Sequence, residues 1–373
     1  MSFAEILPNM LERPSSAMRR FEKLMSPQTD LEWMAGQAQA LTRQYFGRTM
    51  RLFAPIYVSN ECINTCKYCG FSRENPIFRV TLTQDQVETE ARHLITEGFR
   101  NILLVAGEHP KFVPVDYLEE STRRLRKFVP SVSIEVAPME VPEYKRIVDA
   151  GADGLVVYQE TYDPKVYAEM HEAGPKKDYA WRLACPERGY QAGFRRIGIG
   201  PLIGLSDWRK ELLCLVAHAE YLLRTCWKSF LTVSMPRLRP AAGEFQPLVH
   251  LSDREFTQAI MALRICFPQV GIVLSTREPD WLRDGLIPLG VTLMSAGSHT
   301  EPGGYTKAGQ DDLHLTVKGR RVDLKEHKIQ DEATGQFHIS DVRSAAEITA
   351  VLQKLGLDPV WKDWDYGLGT TAA

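Results

Sequence analysis

Three cysteines in one short stretch, Cys62-Ile-Asn-Thr-Cys66-Lys-Tyr-Cys69, constrain this chain more than any other feature. The C-x3-C-x2-C spacing offers three thiolates from one tight loop, with no fourth ligand nearby. An iron–sulfur cube takes one ligand per iron and usually takes thiolates, so three cysteines leave one iron open. A structural zinc ion closes its tetrahedron with four ligands, commonly as two pairs. The other cysteines, Cys185, Cys214, Cys226 and Cys266, stand singly and read as structural thiols. Ligand count favours a cluster, and a zinc-binding barrel acting as scaffold or hydrolase is the alternative from another class. Disulfides are not expected in a chain without a secretory signal.

Short aliphatic or β-branched runs alternate with helical patterns between about residues 50 and 297. The runs are Leu52–Val58, Asn101–Ala106, Ser133–Ala137, Gly154–Tyr158, Arg196–Gly200, Phe230–Ser234, Gly271–Ser275 and Thr292–Ser295. Strands separated by helix-length segments predict an α/β fold, a (βα)8 TIM-type barrel of parallel strands. Thr83 and Gln86 form a capping box ahead of Val87, Leu94 and Ile95, and Gly98 ends that helix. Residues 51–300 are therefore expected as the barrel. Residues 1–50 form a helical extension with Leu31, Met34, Ala38, Leu41 and Tyr45 on one stripe. Residues 301–373 form a C-terminal loop or lid, polar and without a period over 305–335, then a helix over about 341–355 and a tail.

Composition bounds the partners. With 25% charged residues and a formal net charge of −2, nothing basic points to nucleic acid. No apolar run reaches the roughly 18 residues of a membrane span. The N-terminus lacks a positive n-region and an apolar h-region, and a cytoplasmic location is expected.

In a (βα)8 barrel the chemistry sits at the C-terminal ends of the strands. The first strand runs straight into the cysteine loop. The following strands end at or near Gly107-Glu108-His109, Glu135, Tyr158-Gln159-Glu160, Arg237 and Arg239, Thr276-Arg277-Glu278, and Ser295-Ala-Gly-Ser298. Carboxylates and guanidinium groups on one rim suit a zwitterionic ligand. Glu108, Glu160 and Arg237 could equally be rim ion pairs, which are common and worth little. Glu135 interrupts an apolar strand, and a buried carboxylate calls for a partner. Arg182 is either a ligand-facing cation or an exposed helix residue.

With Tyr68 before its last cysteine, the loop resembles the signature of the radical S-adenosylmethionine (SAM) superfamily. Further stretches extend the resemblance along the chain, among them Phe53-Ala-Pro-Ile-Tyr57, Leu103-Leu-Val-Ala-Gly-Glu108, Tyr158-Gln-Glu-Thr-Tyr162, Pro236-Arg-Leu-Arg-Pro240, Leu274-Ser-Thr-Arg277-Glu and Trp361-Lys-Asp-Trp-Asp365. Together they are similar to the aromatic amino-acid lyases of that superfamily, and most of all to the tyrosine lyases that serve the thiazole of thiamine. The resemblance implies a 4Fe–4S cluster on Cys62, Cys66 and Cys69, with SAM on the open iron. A 5′-deoxyadenosyl radical would then break the Cα–Cβ bond of L-tyrosine, giving 2-iminoacetate and p-cresol.

Roles carried over by matching position put Tyr68 near the adenine and Glu135 and Arg182 on the SAM ribose and carboxylate. They put Gly107 and Glu108 at the methionyl amino group, and Gln159 and Glu160 along the same cleft. Arg277 and Ser295 would fix the substrate carboxylate, with Tyr57 close to the aromatic ring. The implied partners are a thiazole synthase, since the imine hydrolyses in water, and a low-potential electron donor of flavodoxin or ferredoxin type. The related lyase of hydrogenase maturation has a second, C-terminal cluster, and no cysteine follows Cys266 here. A lyase acting on tryptophan or on a deazaflavin precursor is the alternative within the family.

Overall fold

Parallel strands covered by helices on their outer side must be apolar on both faces, and the alternating segments assemble accordingly. The strands are β1 (Thr49–Ser59), β2 (Asn101–Ala106), β3 (Ser131–Glu135), β4 (Gly154–Glu160), β5 (Arg196–Pro201), β6 (Phe230–Val233), β7 (Gly271–Leu274) and β8 (Leu293–Ser295). They pair in chain order, and β8 returns to β1 through Arg51↔Leu293, Leu52↔Met294 and Phe53↔Ser295. The result is a closed parallel barrel, as the sequence pattern predicts. The computed structural model describes residues 3–322 and 332–361.

The predicted capping box is present: Thr83 Oγ1 accepts from Gln86 N and Gln86 Oε1 accepts from Thr83 N. The helix Trp208–Thr225 buries Leu212, Leu215, Val216 and Leu222 against the barrel. At the N-terminus the helices Phe3–Glu12, Ser16–Leu24 and Leu31–Phe46 pack on Trp208–Thr225 and on Asp253–Cys266. Met34 and Ala38 are buried as their stripe requires, whereas Tyr45 is 51% exposed.

The 305–335 stretch differs from its expectation. It holds two strands, His314–Val317 and Arg320–Val322, in an antiparallel sheet with Ile77–Arg79. Four- and three-residue strands are too short to leave a period in sequence, and buried Leu315 and Thr316 supply the anchor. Residues 323–331 lie outside the described residues. The last helix runs Ala345–Lys354 behind a Ser344–Glu347 capping box. Asp358–Val360 then pairs with the start of β1, and the Trp361 ring meets Phe99 edge-on. The remainder of the Trp-Lys-Asp-Trp-Asp tail lies outside the described residues. No described helix is long and apolar enough to cross a membrane.

Candidate active site

The cysteine loop leaves β1 at the C-terminal mouth of the barrel and is braced from several sides. Thr65–Cys66 pairs antiparallel with His171–Ala173. The buried Arg79 guanidinium collects loop carbonyls, those of Phe71 at 3.0 Å, Ser72 at 2.8 Å and also Asn60. Gly107 follows β2 where a Cβ would lie 2.3 Å from the Glu61 carbonyl oxygen, so glycine permits the approach. Glu108 Oε2 accepts from Asn64 Nδ2 at 2.6 Å, tying the β2 end to the loop.

All three cysteines of the loop are free thiols, Cys66 buried and the other two half-buried. Burial, and then their mutual repulsion with Cys69, pushes the Cys62 thiol up; burial does the same at Cys66, against the pull of Lys176. Bound iron would supply the positive charge that favours the thiolate forms of Cys62 and Cys66 against this burial. Among the described residues no three His, Cys, Asp or Glu side chains converge on a single ion position. Three free thiols on one loop fit a cube that takes each thiolate on a separate iron. The other four cysteines are buried or half-buried apart from the loop, with Cys185 Sγ 2.9 Å from Tyr144 Oη.

A cavity of about 440 Å³ opens beside the loop, lined by Tyr68 and Cys69, by Glu135, Glu160, Lys176 and Arg277, and by Gln336 and Phe337, among others. Burial, and then neighbouring Glu160, raises the Glu135 carboxyl to about 7. The partner expected for it is absent: among the described residues no hydrogen bond or ion pair reaches the Glu135 carboxyl. Burial alone would raise Glu160 as well. Lys176 Nζ at 2.7 Å and Arg182 at 3.4 Å reverse this and hold it below the usual carboxylate range. Glu160 also has a positive φ of 71°, an unusual backbone for a glutamate, at a bulge that ends β4. Arg182 is buried, donating Nε to the Tyr158 carbonyl at 2.7 Å, so it is not an exposed helix arginine.

Arg277 stands apart from these pairs. Its guanidinium faces the cavity with no carboxylate partner among the described residues, and its carbon lies 3.4 Å from the centre of the Phe337 ring. Desolvation lowers its pKa. A bidentate carboxylate would satisfy it. Tyr68 is buried with its hydroxyl 2.8 Å from His171 Nε2, and Tyr57 donates its hydroxyl to Gln336 Oε1 at 2.9 Å.

Of the sequence-derived residues, Gln159, Ser295, Tyr57, Arg182, Gly107 and Glu108 are not among those that line this cavity. Gln159 is buried with neither end of its amide hydrogen-bonded, because strand alternation turns it away from the face that carries Tyr158 and Glu160. Ser295 is buried one strand over, where its Oγ accepts from Thr276 N at 3.2 Å. Gly107 and Glu108 line a second cavity on the other flank of the loop, with Ile63, Val136 and Pro175. Arg237 is a rim ion pair after all, clasped by Glu278 and by Asp253 at 2.6 Å.

Sequence reasoning missed Lys176, His171, Gln336 and Phe337. Lys176 sits in the same segment as Arg182 and could have been weighed with it. Gln336 and Phe337 carried no signal, because they enter from a polar segment without periodicity.

A model described as the radical SAM superfamily matches residues 56–214, and one described as the biotin and thiamin synthesis associated domain matches residues 234–358. The chain is 41% identical over 349 residues to the 2-iminoacetate synthase of Escherichia coli (strain K12), covering 93% of this chain and 87% of that protein. It is 39% identical over 340 residues to the 2-iminoacetate synthase of Salmonella typhimurium, covering 91% and 84%. Among solved structures it is similar to the FeFe-hydrogenase maturase HydG from Carboxydothermus hydrogenoformans. That likeness has a TM-score of 0.79 and 34% identity, covering 98% of this chain and 83% of that one.

Proposed function

The chain belongs to the 2-iminoacetate synthase family of the radical SAM superfamily, and from that premise we propose that it cleaves the Cα–Cβ bond of L-tyrosine. The products are 2-iminoacetate and p-cresol, with methionine and 5′-deoxyadenosine from SAM, and the imine supplies the thiazole of thiamine. When bound, the 4Fe–4S cluster and SAM supply the electron and the 5′-deoxyadenosyl radical that starts the cleavage. Cys62, Cys66 and Cys69 hold the cluster.

The observation that carries the substrate reading is Arg277, a guanidinium without a carboxylate partner among the described residues, in a cavity that Cys69 also lines. In this reading Arg277 takes the amino-acid carboxylate while Phe337 shields the guanidinium from water. Glu135, poised near neutrality, takes a SAM ribose hydroxyl. Arg182 reaches the SAM carboxylate, and Lys176 keeps Glu160 ionised along the same wall. Gly107 and Glu108 meet the methionyl amino group from the loop side, and Tyr68 approaches the adenine. Tyr57 faces the tyrosine ring, and fixing both ends of the substrate selects which hydrogen meets the radical. Ser295 steadies the backbone that carries Arg277.

A thiazole synthase that receives the hydrolysable imine, a flavodoxin- or ferredoxin-type electron donor and a reducing cytoplasmic compartment complete the proposal. The test is anaerobic turnover with SAM, a low-potential reductant and tyrosine, analysed for 5′-deoxyadenosine, p-cresol and glyoxylate, the hydrolysis product of the imine. All three are expected. Deoxyadenosine without p-cresol would refute tyrosine as the substrate.

A further inference from the structure

Two of the three loop cysteines receive a side-chain N–H, from opposite ends of the chain. Asn64 Nδ2 lies 3.8 Å from Cys62 Sγ and belongs to the loop itself. Gln336 Nε2 lies 3.9 Å from Cys69 Sγ and belongs to a strap, residues 334–340, whose Gln336 and Phe337 line the cavity. The strap is held along its length: Thr334 N donates to the Phe78 carbonyl at 3.0 Å and Ser340 N to that of Thr276 at 2.9 Å. At Gln336 itself the backbone N donates to Thr300 O at 3.0 Å, and its carbonyl accepts from Gly70 N at 3.1 Å. Gly70 is obligatory there, since a Cβ would lie 2.4 Å from the same carbonyl oxygen.

The amide has one electrostatically consistent orientation. The Tyr57 hydroxyl donates to Gln336 Oε1 at 2.9 Å, which turns the NH₂ group to the sulfur. Turned over, a carbonyl oxygen would face a thiolate. Tyr57 is buried, and its phenol stays protonated as a donor.

We propose that Gln336 tunes the iron–sulfur cluster: oriented by Tyr57, its Nε2–H donates to the Cys69 thiolate and raises the reduction potential of the cluster. The inference rests on the assignment of the cluster to Cys62, Cys66 and Cys69. Hydrogen bonds to ligand sulfur stabilise the more electron-rich, reduced cluster. Because this donor is carried by the strap, the potential also depends on the strap being seated over the cavity.

The test compares wild type, Gln336→Leu and Tyr57→Phe, each reconstituted anaerobically, with iron and sulfide counted. The midpoint potential is read by EPR-monitored titration without SAM. Gln336→Leu at wild-type iron content is expected to titrate at a lower potential, with a smaller shift in the same direction for Tyr57→Phe. An unchanged potential in Gln336→Leu overturns the inference and leaves Gln336 a strut of the strap. A second measurement does not depend on that variant loading its cluster. Wild-type protein carrying side-chain ¹⁵N-glutamine is reduced and examined by pulsed EPR. A ¹⁵N coupling to the cluster supports the hydrogen bond, and its absence overturns it. Wild-type protein without iron and sulfide would instead overturn the cluster assignment itself.

Discussion

The guanidinium of Arg277 lies against the ring of Phe337, 3.4 Å from its centre. One residue follows β7 and the other belongs to the strap that crosses the mouth of the barrel. The contact lets a cation stay in a partly dry cavity without a carboxylate of its own, since the ring face replaces part of the lost hydration. It also ties the strap to the group that would hold the substrate.

Arg277→Ala is expected to abolish p-cresol formation while iron content stays at the wild-type level. Phe337→Leu keeps an apolar residue and removes the cation–π contact. A desolvated contact of that kind is worth about 2 kcal/mol, so kcat/KM for tyrosine should fall by roughly thirtyfold at most. Steady-state kinetics on the two reconstituted variants checks both, and normal turnover by Arg277→Ala would sink the carboxylate assignment.

Among the described residues Lys176→Met leaves Glu160 with Arg182 at 3.4 Å as its one remaining ion-pair partner. Removing one partner from a buried pair costs about 3–5 kcal/mol, and Arg182 recovers part of that here. The variant should melt several degrees lower and bind SAM more weakly, with Lys176→Arg between it and wild type. Thermal melts and equilibrium SAM binding read the two effects, and an unchanged Tm would mean that the pair adds nothing net.

Glu135 makes stability depend on pH. The free side chain ionises near 4.5, whereas burial keeps the folded carboxyl protonated up to about 7. Between those values the native state binds more protons than the unfolded chain. Its contribution therefore falls as the pH rises and levels off above about 7. Glu135→Gln, neutral throughout, should be more stable than wild type at about pH 8 and similar to it near pH 4. Parallel Tm-against-pH curves for the two proteins would contradict this.

Asp341→Ala should be among the most damaging changes outside the site. Asp341 and Arg283 form an ion pair with both side chains fully buried, and Arg343 joins at 2.7 Å. The substitution strands a buried guanidinium, at a cost of about 3–5 kcal/mol. Denaturant unfolding measures it. Arg283 also donates to the Ser295 carbonyl, so tyrosine turnover should fall with stability.

The barrel was legible because its signal is local. The run Asn101–Ala106 coincides with β2, and the Thr83–Gln86 box marks a helix start through two hydrogen bonds made within one turn. The cysteine loop needed no fold at all, since ligand type and spacing already speak for the metal. Arg277 and Glu135 followed from the rule that strand ends carry the chemistry.

What the sequence determined by itself was thus the barrel, the three thiolates and the rim on which the chemistry sits, each announced by a pattern among residues close in the chain. Tertiary structure alone decided which rim residues meet. Gln159 and Glu160 are neighbours in sequence, yet strand alternation and a bulge send only Glu160 into the cavity. Lys176 reaches Glu160 because the segment that follows the helix Pro164–Met170 folds back onto the cysteine loop. Gln336 and Phe337 close the site from a segment with no pattern of its own, because their places are fixed by partners at Gly70, Tyr57 and Arg277, which only the closed barrel brings within reach.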